Sequence, residues 1–156
     1  VAEFAALGGT ETVYDLYCGI GSIGLYLAGS AGRVVGIDNV AEAIENAREN
    51  AAYNGYENCS FETGNIRDLL TEEFAARHPA PDLVVLDPPR AGLHPEVIEA
   101  LLELRPPHIV YVSCNPATQA RDLQMLDTAY RITAVQPVDM FPQTYHIENV
   151  VDMWGR

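Results

Sequence analysis

The chain has 156 residues, 48% of them hydrophobic, and a formal net charge of −13, a composition that excludes disorder and fits one domain with a substantial core. No apolar run approaches the roughly 20 residues of a membrane span, and no signal-peptide pattern opens the chain at Val1. A domain this acidic does not hold a polyphosphate strand by charge alone, so a nucleic-acid substrate would need a grip from outside it. Three cysteines, Cys18, Cys59 and Cys114, with no CxxC spacing argue against a disulfide framework and a zinc site, and point to a reduced, cytoplasmic location.

Val1 to Gly9 reads as the end of a helix followed by a glycine stop, as in a chain that begins inside a larger protein. Thr12 to Tyr17 is the first predicted strand. It runs into Cys18-Gly19-Ile20-Gly21-Ser22-Ile23-Gly24 and then a helix carrying Ile23, Leu25, Tyr26 and Leu27. Strand, glycine loop and helix form a nucleotide-binding opening, because glycines let the backbone approach a ligand closely. The second strand, Arg33 to Ile37, delivers Asp38. A carboxylate there suits the two ribose hydroxyls of an adenosine, and it equally suits the start of the Ala-rich helix Val40 to Asn54.

Asn54-Gly55 closes that helix, Cys59 to Thr63 is the third strand, and Gly64-Asn65 is the next turn. Asn65 can read an adenine edge with one donor and one acceptor, or cap the predicted helix Ile66 to Ala76. Leu83 to Leu86 is a fourth, wholly apolar strand ending in Asp87-Pro88-Pro89-Arg90, where the prolines stiffen the turn and remove backbone donors. After the amphipathic helix Glu96 to Leu104 comes the apolar, β-branched run Ile109 to Val112, which ends at Ser113-Cys114-Asn115-Pro116. A thiol at the carboxyl end of a strand is placed where α/β sheets bind ligands, although a buried cysteine also serves as a small hydrophobe.

A helix from about Ala117 to Leu126 follows, then a strand Tyr130 to Pro137, the loop Val138 to Thr144 and an alternating run Ile147 to Trp154. The predicted fold is α/β: a doubly wound, Rossmann-like seven-stranded sheet, mostly parallel with one antiparallel strand near the C-terminus. Gly19-x-Gly21-x-x-Gly24 with Asp38 also matches the dinucleotide fingerprint. Asp15, on the strand just before the glycines, decides for S-adenosylmethionine: a carboxylate there can hold a cationic amino group, whereas a pyrophosphate gains nothing from it. The helix-less final strand pair points the same way by analogy of fold.

Four stretches, Asp15-Leu16-Tyr17-Cys18-Gly19-Ile20-Gly21, Asp87-Pro88-Pro89-Arg90-Ala91-Gly92-Leu93, Val112-Ser113-Cys114-Asn115-Pro116-Ala117-Thr118 and Val138-Asp139-Met140-Phe141-Pro142 with His146-Ile147-Glu148, together resemble the RNA 5-methyluridine methyltransferase family. The resemblance implies that Tyr17, Ser22, Asp38, Asn65 and Asp87 contact S-adenosylmethionine, that Cys114 is the nucleophile and that Glu148 is the base. Members methylate uridine in transfer or ribosomal RNA. In two respects this sequence departs from the family. The acid ending the second strand is often Glu in the family and here is Asp38, and the family's amino-terminal RNA-binding and central domains have no counterpart. Residues 1–156 are therefore expected to be the catalytic domain of a longer protein, with the RNA gripped elsewhere.

The chemistry explains the residue types. Carbon 5 of uracil cannot attack a methyl sulfonium unaided, but addition of a thiolate to carbon 6 turns the ring into an enolate that can. The methylated adduct carries an extra hydrogen on carbon 5, so a base must remove it before the cysteine leaves, and Glu148 is the candidate; outside the motif it reads as a solvent-facing acid on an alternating strand. Arg90 suits a phosphate, His146 a hydrogen bond in the last turn, and Phe141 and Tyr145 are either stacking surfaces or core. The target base must also leave its stack. An amino-methyltransferase acting on a nucleobase is the alternative enzyme, although an aromatic residue would then be expected where Arg90 stands. A cofactor-binding module without activity is the non-enzymatic alternative.

Overall fold

The structure is a computed structural model that describes residues 1–69 and 71–156. Its strands are β1 (Thr12–Leu16), β2 (Arg33–Asp38), β3 (Cys59–Thr63), β4 (Leu83–Leu86), β5 (His108–Ser113), β6 (Tyr130–Val138) and β7 (Glu148–Gly155). The helices are α1 (Ala2–Ala5), α2 (Ser22–Ala28), α3 (Ala41–Tyr53), α4 (Ile66–Leu69), α5 (Glu72–Arg77), α6 (Pro95–Leu104) and α7 (Pro116–Leu126). The strands make one seven-stranded sheet in the order β3-β2-β1-β4-β5-β7-β6. It is parallel except for β7, which runs antiparallel to both neighbours, β5 and β6.

Helices cover both faces, which is why the central strands read as unbroken apolar runs rather than as alternation. Tyr14, Leu16, Val35, Ile37, Val84 and Leu86 pack with Val97, Ile98 and Leu101 of α6 and Leu126 of α7. Val13, Val34, Leu83 and Val85, the intervening residues, pack on the other side with Leu27 and Ala28 of α2. Each such fully buried aliphatic side chain contributes roughly 1.5–3 kcal/mol of transfer free energy. From β1 the chain winds outward through β2 to β3, then crosses to β4 on the opposite side of β1. That reversal opens a crevice above the carboxyl ends of β1 and β4, the place where open α/β sheets bind ligands.

In three places the structure differs from, or adds to, the sequence expectation. The first strand ends at Leu16, because Tyr17 turns into the left-handed region with φ 65° while the Tyr17 and Cys18 N–H groups both donate to the Ile37 carbonyl at 2.9 and 3.1 Å. The single helix expected over Ile66 to Ala76 is divided into α4 and α5. Thr71 is extended and its side-chain oxygen accepts from Phe74 N–H at 3.3 Å, so it starts a new helix rather than continuing the old one; Leu70 lies outside the described residues. Third, β7 does more than return beside β6: it inserts between β6 and β5, and so becomes the neighbour of the strand that carries the cysteine motif.

Candidate active site

The first wall of the crevice is the glycine loop after β1. Gly21, with φ 84°, precedes α2, and Ser22 is the first, exposed residue of that helix. Gly24 N–H donates to Asp15 Oδ2 at 2.8 Å, and a Cβ on Gly24 would stand 2.8 Å from that same oxygen and 3.0 Å from Val34. Glycine is therefore required for helix and strand to approach this closely. Asp38 ties the loop to β2: its Oδ2 accepts from Gly19 N–H at 2.9 Å and its Oδ1 from Val40 N–H at 3.0 Å. Gly64 N–H donates to the Asp38 carbonyl at 2.9 Å, which brings the exposed Asn65 beside it. Both anticipated duties of Asp38 are compatible, since each carboxylate oxygen that takes one backbone donor retains a second acceptor position.

Asp15 is the anomaly of this wall. Its side chain is 1% exposed, and among the described residues Oδ1 has no hydrogen-bond partner. Burial is the main cause that pushes its carboxyl up to about 7; the Gly24 N–H opposes the rise, and the charges of Asp87 and Asp38 add to it. An orphaned buried carboxylate oxygen is costly unless a donor or a cation arrives from outside the chain. Burial likewise pushes the hydroxyl of Tyr17, half-buried at the loop entrance, up to about 12, with the charges of Asp122 and Asp38 adding to the rise.

The second wall is built from the ends of β4, β5 and β7. Asp87 directly follows β4, and its N–H donates to the Leu16 carbonyl at 3.3 Å. Desolvation, then the charge of Glu148, pushes the Asp87 carboxyl up to about 6. In the β5–β7 ladder Val112 pairs with Val150 and Ser113 with Asn149. The ladder ends there, with Cys114 one residue after Ser113 and Glu148 one residue before Asn149, both at the same edge of the sheet. Cys114 is half-buried, whereas Cys18 is buried and its thiol is driven upward chiefly by desolvation. Beyond Cys114, Asn115 caps α7 by accepting from Ala117 N–H at 3.2 Å, with Pro116 in the first turn.

The loop between β6 and β7 forms the rim. Phe141 and Tyr145 are 51% and 88% exposed, so neither is core. Arg90 Nη1 lies 3.2 Å from His146 Nδ1, and the His146 ring stands 4.4 Å from that of Tyr145. A guanidinium, an imidazole and an aromatic ring thus line up beside the crevice. All the anticipated site residues lie on loops or element ends at the carboxyl edge of the parallel strands, in two groups: Tyr17, Ser22, Asp38 and Asn65 over β1 to β3, and Asp87, Cys114 and Glu148 over β4, β5 and β7.

A family model described as tRNA (uracil-5-)-methyltransferase matches residues 5–154. The chain belongs to that family. A relative of Bacteroides thetaiotaomicron named as an uncharacterized RNA methyltransferase is 55% identical over 149 residues, 96% of this chain and 33% of the relative. One of Porphyromonas gingivalis with the same name is 57% identical over 151 residues, again 96% of this chain and 32% of the relative. The solved structure of the Pyrococcus abyssi tRNA (uracil-54, C5)-methyltransferase in complex with S-adenosyl-L-homocysteine superposes with a TM-score of 0.83 at 40% identity, covering 97% of this chain and 36% of that one. The chain therefore spans about a third of the length of the relatives it matches.

Two residues that tie together the elements around this candidate site escape a reading of motifs. Asp122, fully buried on α7, accepts from Leu93 N–H at 2.8 Å and Tyr111 Oη at 2.7 Å through one oxygen, and from Arg121 through the other. Gln119, one turn earlier, joins β5 to β7. The signal was present in the sequence: Gln119, Asp122 and Leu126 recur at helical spacing on one face, two polar side chains sharing a stripe with a core leucine.

Proposed function

We propose that this chain is the catalytic domain of an RNA (uracil-5-)-methyltransferase that transfers a methyl group from S-adenosylmethionine to carbon 5 of a uridine in transfer or ribosomal RNA through a covalent adduct between Cys114 and carbon 6. The observation that supports the proposal is the strand order, in which β7 lies against β5, so that Cys114 follows Ser113 and Glu148 precedes its ladder partner Asn149 at one edge of the sheet. Such a pair serves a reaction in which a ring carbon is first activated by addition and later deprotonated.

The cofactor is S-adenosylmethionine, and the residues present fit it: the unpaired Asp15 oxygen suits a cationic neighbour, and Asp38 retains acceptor positions for ribose hydroxyls. Tyr17, Ser22, Asn65 and Asp87 complete its surroundings. When bound, it supplies an electrophilic methyl group on a sulfonium. The Cys114 thiolate adds to carbon 6 of the uracil, forming a carbon–sulfur bond and moving the ring electron pair toward carbon 5, where the methyl group is received. Glu148 then takes the proton from carbon 5. The pair left behind restores the ring double bond and expels the thiolate. Asp87, at the end of β4, orients the uracil or the cofactor by hydrogen bonding. Arg90, His146, Phe141 and Tyr145 meet the RNA strand around the extruded base.

Calorimetry with S-adenosylmethionine tests the cofactor half. Asp38→Ala is expected to weaken binding roughly tenfold or more, the loss of hydrogen bonds to a charged acceptor. Cys114→Ala should bind as wild type does. Unchanged affinity in Asp38→Ala would show that the ribose assignment is wrong.

A further inference from the structure

We infer that Gln119 is a positioning residue for the base: from α7 it locks the start of β7 to the end of β5, and thereby holds Glu148 in place over the ring that Cys114 engages. The inference rests on the function proposed above and assigns a step of it to a residue that touches neither RNA nor cofactor.

Gln119 is 1% exposed and every arm of its amide is used. Nε2 donates to the Tyr111 carbonyl in β5 at 2.9 Å and to the Asn149 carbonyl in β7 at 3.2 Å. Oε1 accepts from the Asn149 side chain at 2.6 Å. Asn149 directly follows Glu148, and its ladder partner Ser113 directly precedes Cys114. Two of the three hydrogen bonds therefore hold Asn149, the residue after Glu148, and the third ties it through Gln119 to Tyr111 on the strand that leads to Cys114.

A clamp is needed at this point. Glu148 is the first residue of β7, entered from a rim loop on which Met140, Phe141 and Tyr145 are exposed and little of the chain is buried. The end of an antiparallel ladder leading out of such a loop frays at low cost. Cys114 does not share the problem, because α7 begins two residues later with a side-chain cap and a proline. Nucleophile and base thus differ in how they are held. Loss of Gln119 should leave addition and methyl transfer intact and slow the removal of the carbon 5 proton, so the methylated adduct should outlive its normal lifetime.

The test uses a full-length protein carrying this domain, ordinary RNA labelled with tritium at carbon 5 of uridine, and S-adenosylmethionine. Reactions are quenched in denaturant, and three quantities are read: methyl groups transferred, tritium released, and protein covalently joined to RNA. Gln119→Met, which keeps the bulk, and Asn149→Ala, which removes only the side-chain arm, are compared with Glu148→Gln. For both clamp variants the expected result is a first methyl transfer near the wild-type rate, tritium release slowed at least tenfold, and an adduct that rises from a trace to a major fraction. Should Gln119→Met fail to fold, Asn149→Ala alone carries the test. If Glu148→Gln accumulates adduct while the folded clamp variants keep the wild-type ratio of release to transfer, or lose both steps in parallel, the positioning role is overturned and the function stands. If Glu148→Gln accumulates none, the base assignment itself fails and the inference falls with it.

Discussion

Two buried carboxylates in one cross-strand row of the sheet, Asp15 on β1 and Asp152 on β7, differ in how they are satisfied. Asp152, on β7 near the amino end of β5, lies 2.5 Å from His108 Nε2 through Oδ1, while its Oδ2 accepts from Trp154 Nε1 at 3.2 Å and from the Thr133 hydroxyl. His108 also stacks on Trp154 with ring centroids 4.1 Å apart. Asp15, on β1 under the glycine loop, has one donor and an oxygen with no partner among the described residues. Asp152 belongs to a closed polar network, Asp15 to an open one. Closed networks hold a fold; an open one stores a cost that a ligand relieves.

Substitutions that break this contrast should give effects of different kinds. The largest is at Cys114: Cys114→Ala should abolish methyl transfer by the full-length protein, a loss of at least about a thousandfold, while leaving the melting temperature near wild type. Residual turnover near wild type would remove Cys114 from the mechanism. Asp15→Asn should stabilise the unliganded protein by up to about 4 kcal/mol above pH 7, because it keeps an acceptor for Gly24 while removing a charge that burial disfavours. The sign follows from the raised carboxyl, at about 7 against an ordinary 3.8. The group's contribution is fully present below about pH 4 and is lost as pH rises through about 7, so the advantage of the variant should vanish in acid. The same variant should bind S-adenosylmethionine more weakly, and thermal melts across pH with and without the cofactor read both effects. Asp152→Ala should do the reverse, costing about 3 kcal/mol by stranding His108, Trp154 and Thr133, with cofactor affinity unchanged. Denaturant titration checks it.

What was legible in the sequence follows a similar line. The parallel strands announced themselves because helices bury both of their faces, so Val34 to Ile37 or Leu83 to Leu86 has no polar residue to obscure the run. The glycine loop and Asp38 were legible because backbone geometry demands glycine at Gly21 and Gly24, and few substitutes exist. The sequence extends the first strand through Tyr17, since an aromatic residue gives no warning of a positive φ; only the two N–H groups converging on the Ile37 carbonyl explain it. Thr71 was passed over inside a helix for a related reason, since a cap and a helical residue share one letter. The insertion of β7 between β5 and β6 is a tertiary fact with no local signature, yet it is what brings the strand that starts at Glu148 beside the strand that leads to Cys114. Resemblance suggests their roles; the strand order adds only that their strands are adjacent.

The most direct measurement of the central claim is incubation of the full-length protein, wild type and Cys114→Ser, with S-adenosylmethionine and RNA containing 5-fluorouridine. Fluorine on carbon 5 cannot leave as a proton, so the reaction should stop after methyl transfer with protein and RNA joined. A band of protein–RNA adduct on a denaturing gel in wild type, absent from Cys114→Ser, is the predicted result. Methyl transfer to ordinary RNA with no adduct on the fluorinated substrate would contradict the account and leave Cys114 as a packing residue in a methyltransferase of different chemistry.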